Sequence, residues 1–287
     1  MKPVPIPVRA IGPGSQPQEA EPLDILAFPT AMSTFKMPVV PQSADRGAMA
    51  RARDVLAALL ERLGAWDGND GAHPRLDVAA LDGAALDVLN QVLGEGEVSI
   101  RLQGEREIRI QESLFAGVWR VQRPDGEGRL HGDEIEACSI PGVVRETAAS
   151  GATGLRPVDI PVDAMNSPAL LTEIRERMRR YRPGQPAHVV NLTLLPLSPE
   201  DHRVLEHALP VGAVAVMSRG FGNCRITSTT APHVWRVQYF NNMQTLILNT
   251  IEVVDVPEVA IAAPDDLADT RERLAELVAW MTEDCES

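Results

Sequence analysis

The pentapeptide VWRVQ occurs twice in this chain, at residues 118–122 and again 116 residues later at 234–238. Carried along the chain without gaps, the same offset places Leu76, Val78 and Leu81 on Leu192, Leu194 and Leu197. It also places Val88 and Leu89 on Val204 and Leu205, and Gly96 and Val98 on Gly212 and Val214. Arg109 and Ile110 fall on Arg225 and Ile226, Ile135 and Glu136 on Ile251 and Glu252, and Pro141 and Val143 on Pro257 and Val259. A chance pentapeptide would not bring this much register with it. Whatever the chain folds into, it must be able to do so twice, in units the size of a small domain.

The periodicity is the same in both copies. In the first, Met49, Ala52, Leu56, Leu59, Leu60 and Leu63 recur at helical spacing, and in the second Leu170, Leu171, Ile174 and Met178 do so. A short apolar run follows each helix, RLDVAAL at 75–81 and VVNLTLLPL at 189–197. A second helix then starts at a cap: Asp82 in the first copy, and in the second Ser198 with Pro199 in the first turn and two acids behind it. Four strand-like segments complete each copy. They are EVSIRLQ, REIRIQES, GVWRVQRP and RLHGDEIEA, then AVAVMSRG, CRITSTT, HVWRVQYF and TLILNTIEVV. Val98, Ile100 and Leu102 alternate as in a sheet with one buried face, and PDGEG and NN supply turns.

The predicted fold class is α+β, internally duplicated, with two similar units that each carry an antiparallel sheet backed by helices. The expected organisation is a Pro/Gly-rich N-terminal arm at 1–46, a first repeat at 47–148, a linker at 149–165, a second repeat at 166–263 and a C-terminal helix at 264–287. In that setting the two VWRVQ tryptophans are expected to plug a core or an edge.

The formal net charge is −13, which argues against a nucleic-acid partner, since phosphate contacts need clustered Lys and Arg. Three scattered cysteines, Cys138, Cys224 and Cys285, build neither a CxxC pair nor a disulfide framework. The proline-broken N-terminal sequence is not an apolar signal core, and no stretch reaches the length of a membrane span. The expectation is a cytoplasmic protein with no stable membrane association.

Motifs for chemistry are scarce. GEGEV at 94–98 and RGFGNC at 219–224 match neither GxGxxG nor a phosphate loop, and turn geometry accounts for their glycines. His202 and His207 stand five apart on a helix, where metal pairs need three or four, so no metal site is expected there. There is no GxSxG. Cys224 adjoins Arg225, which could lower a thiol pKa, although a half-buried cysteine opening a strand is the plainer reading. Asn249 lies inside an apolar strand and so needs a partner. Glu95, Glu97 and Glu112 could form an acidic face. No catalytic, cofactor-binding or metal-ligating residue is expected, and duplication without catalytic residues favours a binding scaffold over an enzyme.

Several long segments carry a resemblance. LNQVLGEGEVSIRL, IRIQESLFAGVWRVQ, SRGFGNCRIT and HVWRVQYFNNMQTLILNTIEVVDVPEVAIAAPDDLADTRERL, with GPGSQP…LAFPTAMSTFKMPVVP near the start, resemble the HupH/HyaF family of hydrogenase expression/formation proteins. The resemblance implies an accessory role in maturation of uptake [NiFe] hydrogenases, especially membrane-bound, oxygen-tolerant ones. It implies action on the iron–sulfur small-subunit precursor before twin-arginine export, with a thioredoxin-like accessory protein as a further partner. The partner-binding candidates are Glu95, Gln111, Glu112 and Trp119 in the first copy, and Arg219, Phe221, Cys224, Arg225 and Trp235 in the second. Two alternatives stand beside this: an adaptor that binds only the thioredoxin-like protein, and a thiol-dependent redox enzyme using Cys224.

Overall fold

The structure is a computed structural model that describes residues 45–286 apart from 69, 128, 151, 152 and 221. The N-terminal arm, but for its last two positions, lies outside the described residues. The first copy runs α1 (Arg46–Ala65), β1 (Arg75–Asp77), α2 (Gly83–Leu93), β2 (Val98–Leu102), β3 (Ile108–Glu112), β4 (Val118–Pro124) and β5 (Leu130–Ala137), followed by α3 (Gly142–Ala149). The second runs α4 (Ser167–Arg180), β6 (His188–Asn191), α5 (Pro199–Ala208), β7 (Val211–Ser218), β8 (Asn223–Thr229), β9 (Val234–Phe240) and β10 (Leu246–Val253), and α6 (Pro264–Glu286) ends the chain.

The ten strands form one antiparallel sheet in the order β1-β5-β4-β3-β2-β7-β8-β9-β10-β6. The two copies therefore share a sheet, joined where β2 pairs with β7. Val98 lies opposite Ser218, Ile100 opposite Val216, and Leu102 opposite Val214. Ile100 and Val216 are themselves related by the 116-residue offset, so a local two-fold axis passes between them. The flanking pairings repeat across that axis. Ile110 faces Val121 as Ile226 faces Val237, and Trp119 faces Glu136 as Trp235 faces Glu252.

At the outer strands the gapless offset fails. Leu76 of β1 pairs with Ile135, and its counterpart opposite Ile251 is Val190, not Leu192. Leu192–Leu194 instead forms a 3-10 turn, and the second copy takes up two extra residues between its edge strand and its capped helix.

Side chains alternate across a strand, so the sheet has a core on each face. On one face Ile100, Ile110, Trp119 and Val121 meet Val216, Ile226, Trp235 and Val237 in a central cluster drawn from both copies, closed by Val144 of α3 and Ala260. On the other face α1, α2 and α6 cover the first copy, with Leu56, Leu59 and Leu89 against Ile135, while α4 and α5 cover the second, with Ile174 and Leu205 against Ile251. Both tryptophans are fully buried, and each indole N–H donates to a main-chain carbonyl, Trp119 to Cys138 and Trp235 to Asp255, both at 3.0 Å. Packing thus explains why the pentapeptide is spelled twice. A further link ties the copies: the Arg145 guanidinium on α3 donates to the Asp255 carboxylate at 2.8 Å.

The helix starts are held as the capping residues predict. The Asp82 carboxylate accepts from the Ala85 N–H, and Ser198 and Asp201 form a reciprocal capping box. Asp201 also accepts from the N–H groups of Asn166 and Ser167, so one carboxylate fixes the starts of both α4 and α5. Burial pushes its pKa up, but the N–H groups of Ser167, Ser198 and Asn166 together hold it well below the usual carboxylate range. Asn249 finds its partner too, its side-chain oxygen accepting from Arg236 at 3.2 Å.

The copies differ at the turn before VWRVQ. Gly117 has φ +77°, and a side chain there would collide with Leu267 of α6. Its counterpart His233 keeps a left-handed φ of 61° and packs against Tyr181 in a tilted pair, with ring centroids 4.8 Å apart.

One sheet with a shared central core should unfold as one unit. In urea the chain is expected to show a single transition by tryptophan fluorescence and far-ultraviolet circular dichroism. Trp119→Ala and Trp235→Ala should each lower its stability by about 3–5 kcal/mol. Two separable transitions, each sensitive to one tryptophan, would show instead that the halves fold independently.

Candidate functional site

The partner-binding candidates come from both copies, and the β2–β7 seam brings several of them together. Arg219 follows β7, and its N–H donates to the Glu97 carbonyl at 3.1 Å, which sets the turn of the second copy against the α2–β2 loop of the first. A side chain at Gly220 would meet the Glu97 carboxylate, which would have to turn aside. Glu95, in the same loop, is exposed. Gln111 on β3 is half-buried, and its amide donates to the carbonyls of Gly96, Val98 and Glu112 at 3.3, 3.2 and 3.0 Å. Its role is to knit the start of β2 to β3. Arg225 on β8 is partly exposed and stands 5.1 Å above the Phe240 ring.

Trp119, Trp235, Cys224 and Glu112 have little or no surface to offer. Trp119 and Trp235 belong to the central core. Cys224 also points into that core, one residue out of phase with Arg225, so the two side chains lie on opposite faces of the sheet. Burial pushes the Cys224 thiol up to about 12, against a hydrogen bond with Tyr239 that lowers it. The neighbouring arginine therefore does not activate it. Phe221 lies outside the described residues.

Glu112 is buried as well, so it does not belong to an exposed acidic face. Its carboxylate accepts from the Gly117 N–H at 3.2 Å. Burial pushes its pKa up to about 7, with the charges of Glu97 and Asp266 adding to the rise and the N–H groups of Gly117 and Val98 opposing it.

The sequence reading passed over two features. The face of the sheet opposite the central cluster carries, along β2, β3 and β8, the partly exposed Ser99, Arg101, Gln111 and Arg225 and the exposed Arg109. Arg101 stands directly opposite Arg109, whose guanidinium is drawn to Glu107 at 2.9 Å. The alternation in SIRLQ, IRIQE and CRITS held the signal for this basic strip, masked by the acidity of the whole chain. The second feature is a buried group of possible metal ligands, His73, Glu136 and Cys138, near the β1 edge and away from the seam.

The Glu112 environment makes stability depend on pH. Its folded pKa, about 7, lies above the ordinary 4.5, so the folded state holds the proton more tightly. That contribution is fully present below about pH 4.5 and is lost as pH rises through about 7, a change on the order of 3 kcal/mol. Glu112→Gln should therefore match the parent at pH 4 and exceed it in urea resistance at pH 8. Equal stability of the two proteins at pH 8 would show that the carboxylate is ionised without cost.

Comparison with known proteins agrees with the geometry. The family model described as "HupH hydrogenase expression protein, C-terminal conserved region" matches twice, over residues 49–158 and 164–281. The second match runs on through most of α6. The chain is 46% identical to "Hydrogenase expression/formation protein HoxQ" of Cupriavidus necator, over 98% of this chain and 99% of that one. It is 41% identical to "Hydrogenase expression/formation protein HoxQ" of Azotobacter vinelandii, over 96% and 97%. It is 32% identical to "Hydrogenase-1 operon protein HyaF" of Escherichia coli, over 95% and 96%. With two matches of the family model covering both halves of the sheet, and likeness to these relatives along nearly the whole chain, this protein belongs to the HupH/HyaF family of hydrogenase expression/formation proteins.

Proposed function

We propose that this protein is an accessory chaperone in maturation of an uptake, membrane-bound and oxygen-tolerant [NiFe] hydrogenase. In this reading it binds the iron–sulfur small-subunit precursor in the cytoplasm before twin-arginine export, with a thioredoxin-like accessory protein as a second partner. The observation that carries the reading is kinship along nearly the full chain to proteins named for hydrogenase expression and formation. Among the described residues no helix is long and apolar enough to cross a membrane, which fits a protein that meets its client before export.

The contact surface in this reading is the seam. There the α2–β2 loop of the first copy, with Glu95 and Glu97, abuts the β7–β8 turn of the second, with Arg219. A chaperone needs surface and interdigitated charge more than a reactive group. The adaptor alternative uses the same surface for the thioredoxin-like protein alone. The thiol-enzyme alternative loses support, because a nucleophilic cysteine needs access and thiolate character, and Cys224 has neither.

The test is co-purification with the small-subunit precursor, with and without its signal peptide and with and without the thioredoxin-like protein. Recovery of the precursor is expected. Recovery of the thioredoxin-like protein alone would favour the adaptor. Because the chain carries a net charge of −13, affinity for the basic signal segment should fall with added salt, and salt-independent binding would remove that electrostatic contribution. Charge reversal at the seam, Glu95→Lys with Arg219→Glu, should weaken precursor binding about tenfold while leaving the unfolding midpoint in place. Unchanged affinity would move the contact surface elsewhere.

A further inference from the structure

We infer that the first copy holds a binding site for a divalent first-row transition-metal ion of the zinc class, made by His73, Glu136 and Cys138. The three residues are buried, and an imidazole nitrogen, a carboxylate oxygen and a sulfur lie within 4.8 Å of one another. Ligands on such an ion, with bonds of about 2.0–2.3 Å, stand about 3.5 Å apart, so closure asks for side-chain shifts of about 1 Å. The donor set of nitrogen, oxygen and sulfur selects zinc, iron or cobalt over magnesium or calcium. Three protein ligands leave one position for water.

The fold fixes all three donors. Glu136 lies on β5 and Cys138 just past its end, two residues apart and so on one face. His73 comes from the segment leading into β1, which is pinned to the same strand because the Ala137 N–H donates to the Pro74 carbonyl at 3.0 Å.

The hydrogen bonds around His73 point to a cation. Its Nε2 lies 2.7 Å from a Glu136 oxygen and 2.9 Å from the Nε–H of Arg75. One ring nitrogen cannot donate to the first and accept from the second. With its proton on Nε2 the ring donates to Glu136, and with its proton on Nδ1 the Nε2 lone pair that a metal needs is available beside that carboxylate. A metal ion bound by both would take the place of the shared proton and form two bonds. Arg75 supplies positive charge at this place, and its side chain is half exposed, free to swing outward as the ion enters. Binding converts the Cys138 thiol to a thiolate, with its proton released to solvent.

The second copy shows that packing alone does not require this set. Glu252 stands opposite Trp235 as Glu136 stands opposite Trp119. By the offset that holds along β5 and β10, the counterpart of Cys138 is Val254, and by the register of the outer strands the counterpart of His73 is Ala187. The same sheet, core and tryptophan are built there without imidazole or thiol.

The test uses the full chain, stripped with a chelator and titrated with Co²⁺ under reducing conditions. The expected result is one Co²⁺ per chain with a thiolate-to-cobalt charge-transfer band, displaced by Zn²⁺. Cys138→Val and His73→Gln should weaken binding by about tenfold or more, and Arg75→Gln should bind as tightly as the parent or more tightly. Should the buried variants fail to fold, the parent and Arg75→Gln decide the matter, since Zn²⁺ should raise the melting temperature of both. Absence of stoichiometric binding, binding without the sulfur band, or equal affinity in Cys138→Val would overturn the site and leave His73 and Glu136 as a buried hydrogen-bonded pair alone.

Discussion

The pairing of β2 with β7 is the contact on which the rest of the structure depends. Taken alone, each copy would be a five-stranded sheet ending in an edge strand with alternating large apolar residues: Val98, Ile100 and Leu102 in one, Val214 and Val216 in the other. Such an edge invites uncontrolled pairing. Here each edge has a single partner, and because Ile100 meets Val216, residues related by the repeat, the pairing is the isologous contact of a two-fold dimer made within one chain. The central core follows from it. Both tryptophans, both Val-Ile rows and the helix α3 meet in one cluster, so neither half could bury its share without the other. The sheet's outermost strands, β1 and β6, are only three and four residues long, which blunts the edges that remain.

Within this symmetric frame the copies depart from each other where their neighbours differ. Helix α6 follows the second copy in sequence but packs on α1 of the first, with Leu274 and Met281 fully buried in that copy's core. Its arrival over the turn at 117 leaves room only for glycine, whereas the corresponding turn in the second copy accommodates His233 packed against Tyr181. The 3-10 turn after β6 is a second departure, and the His73–Glu136–Cys138 cluster is a third. A duplicated fold supplies the same backbone twice, and its separate functions have to be read from such differences.

Much of this was legible in the sequence because it is set locally. The strands follow from alternation, and the starts of α2 and α5 from Asp82 and Ser198, whose side chains act within one turn. The seam was not legible, since nothing in a strand's own alternation names which other edge it will meet. Alternation did contain more than was drawn from it. Cys224 shares the parity of Ile226, a core position, which already placed the thiol inside and Arg225 on the other face. The ungapped offset misplaced Leu76 because an insertion of two residues leaves no trace in an apolar run as uniform as VVNLTLLPL. His73 escaped notice for a different reason: its partners lie more than sixty residues away, and only the strand pairing of β1 with β5 joins them.

The seam is also a place where the fold departs from its local optimum. Arg101 and Arg109 are like charges directly across a strand pair, an arrangement that costs stability. Glu112 is a buried carboxylate whose burial raises its pKa to about 7, so at neutral pH and above its ionisation opposes folding. The Glu97 carboxylate lies in the space beside Gly220. Away from the seam two buried charges are matched, since Asp201 accepts three N–H groups and Arg120 is held by Asp133 and Asn90, while burial raises the pKa of Glu252 on β10 as it does that of Glu112. Local costs of the kind found beside the seam persist where a function calls for them. Those costs support our proposal that partners bind at the junction of the two copies.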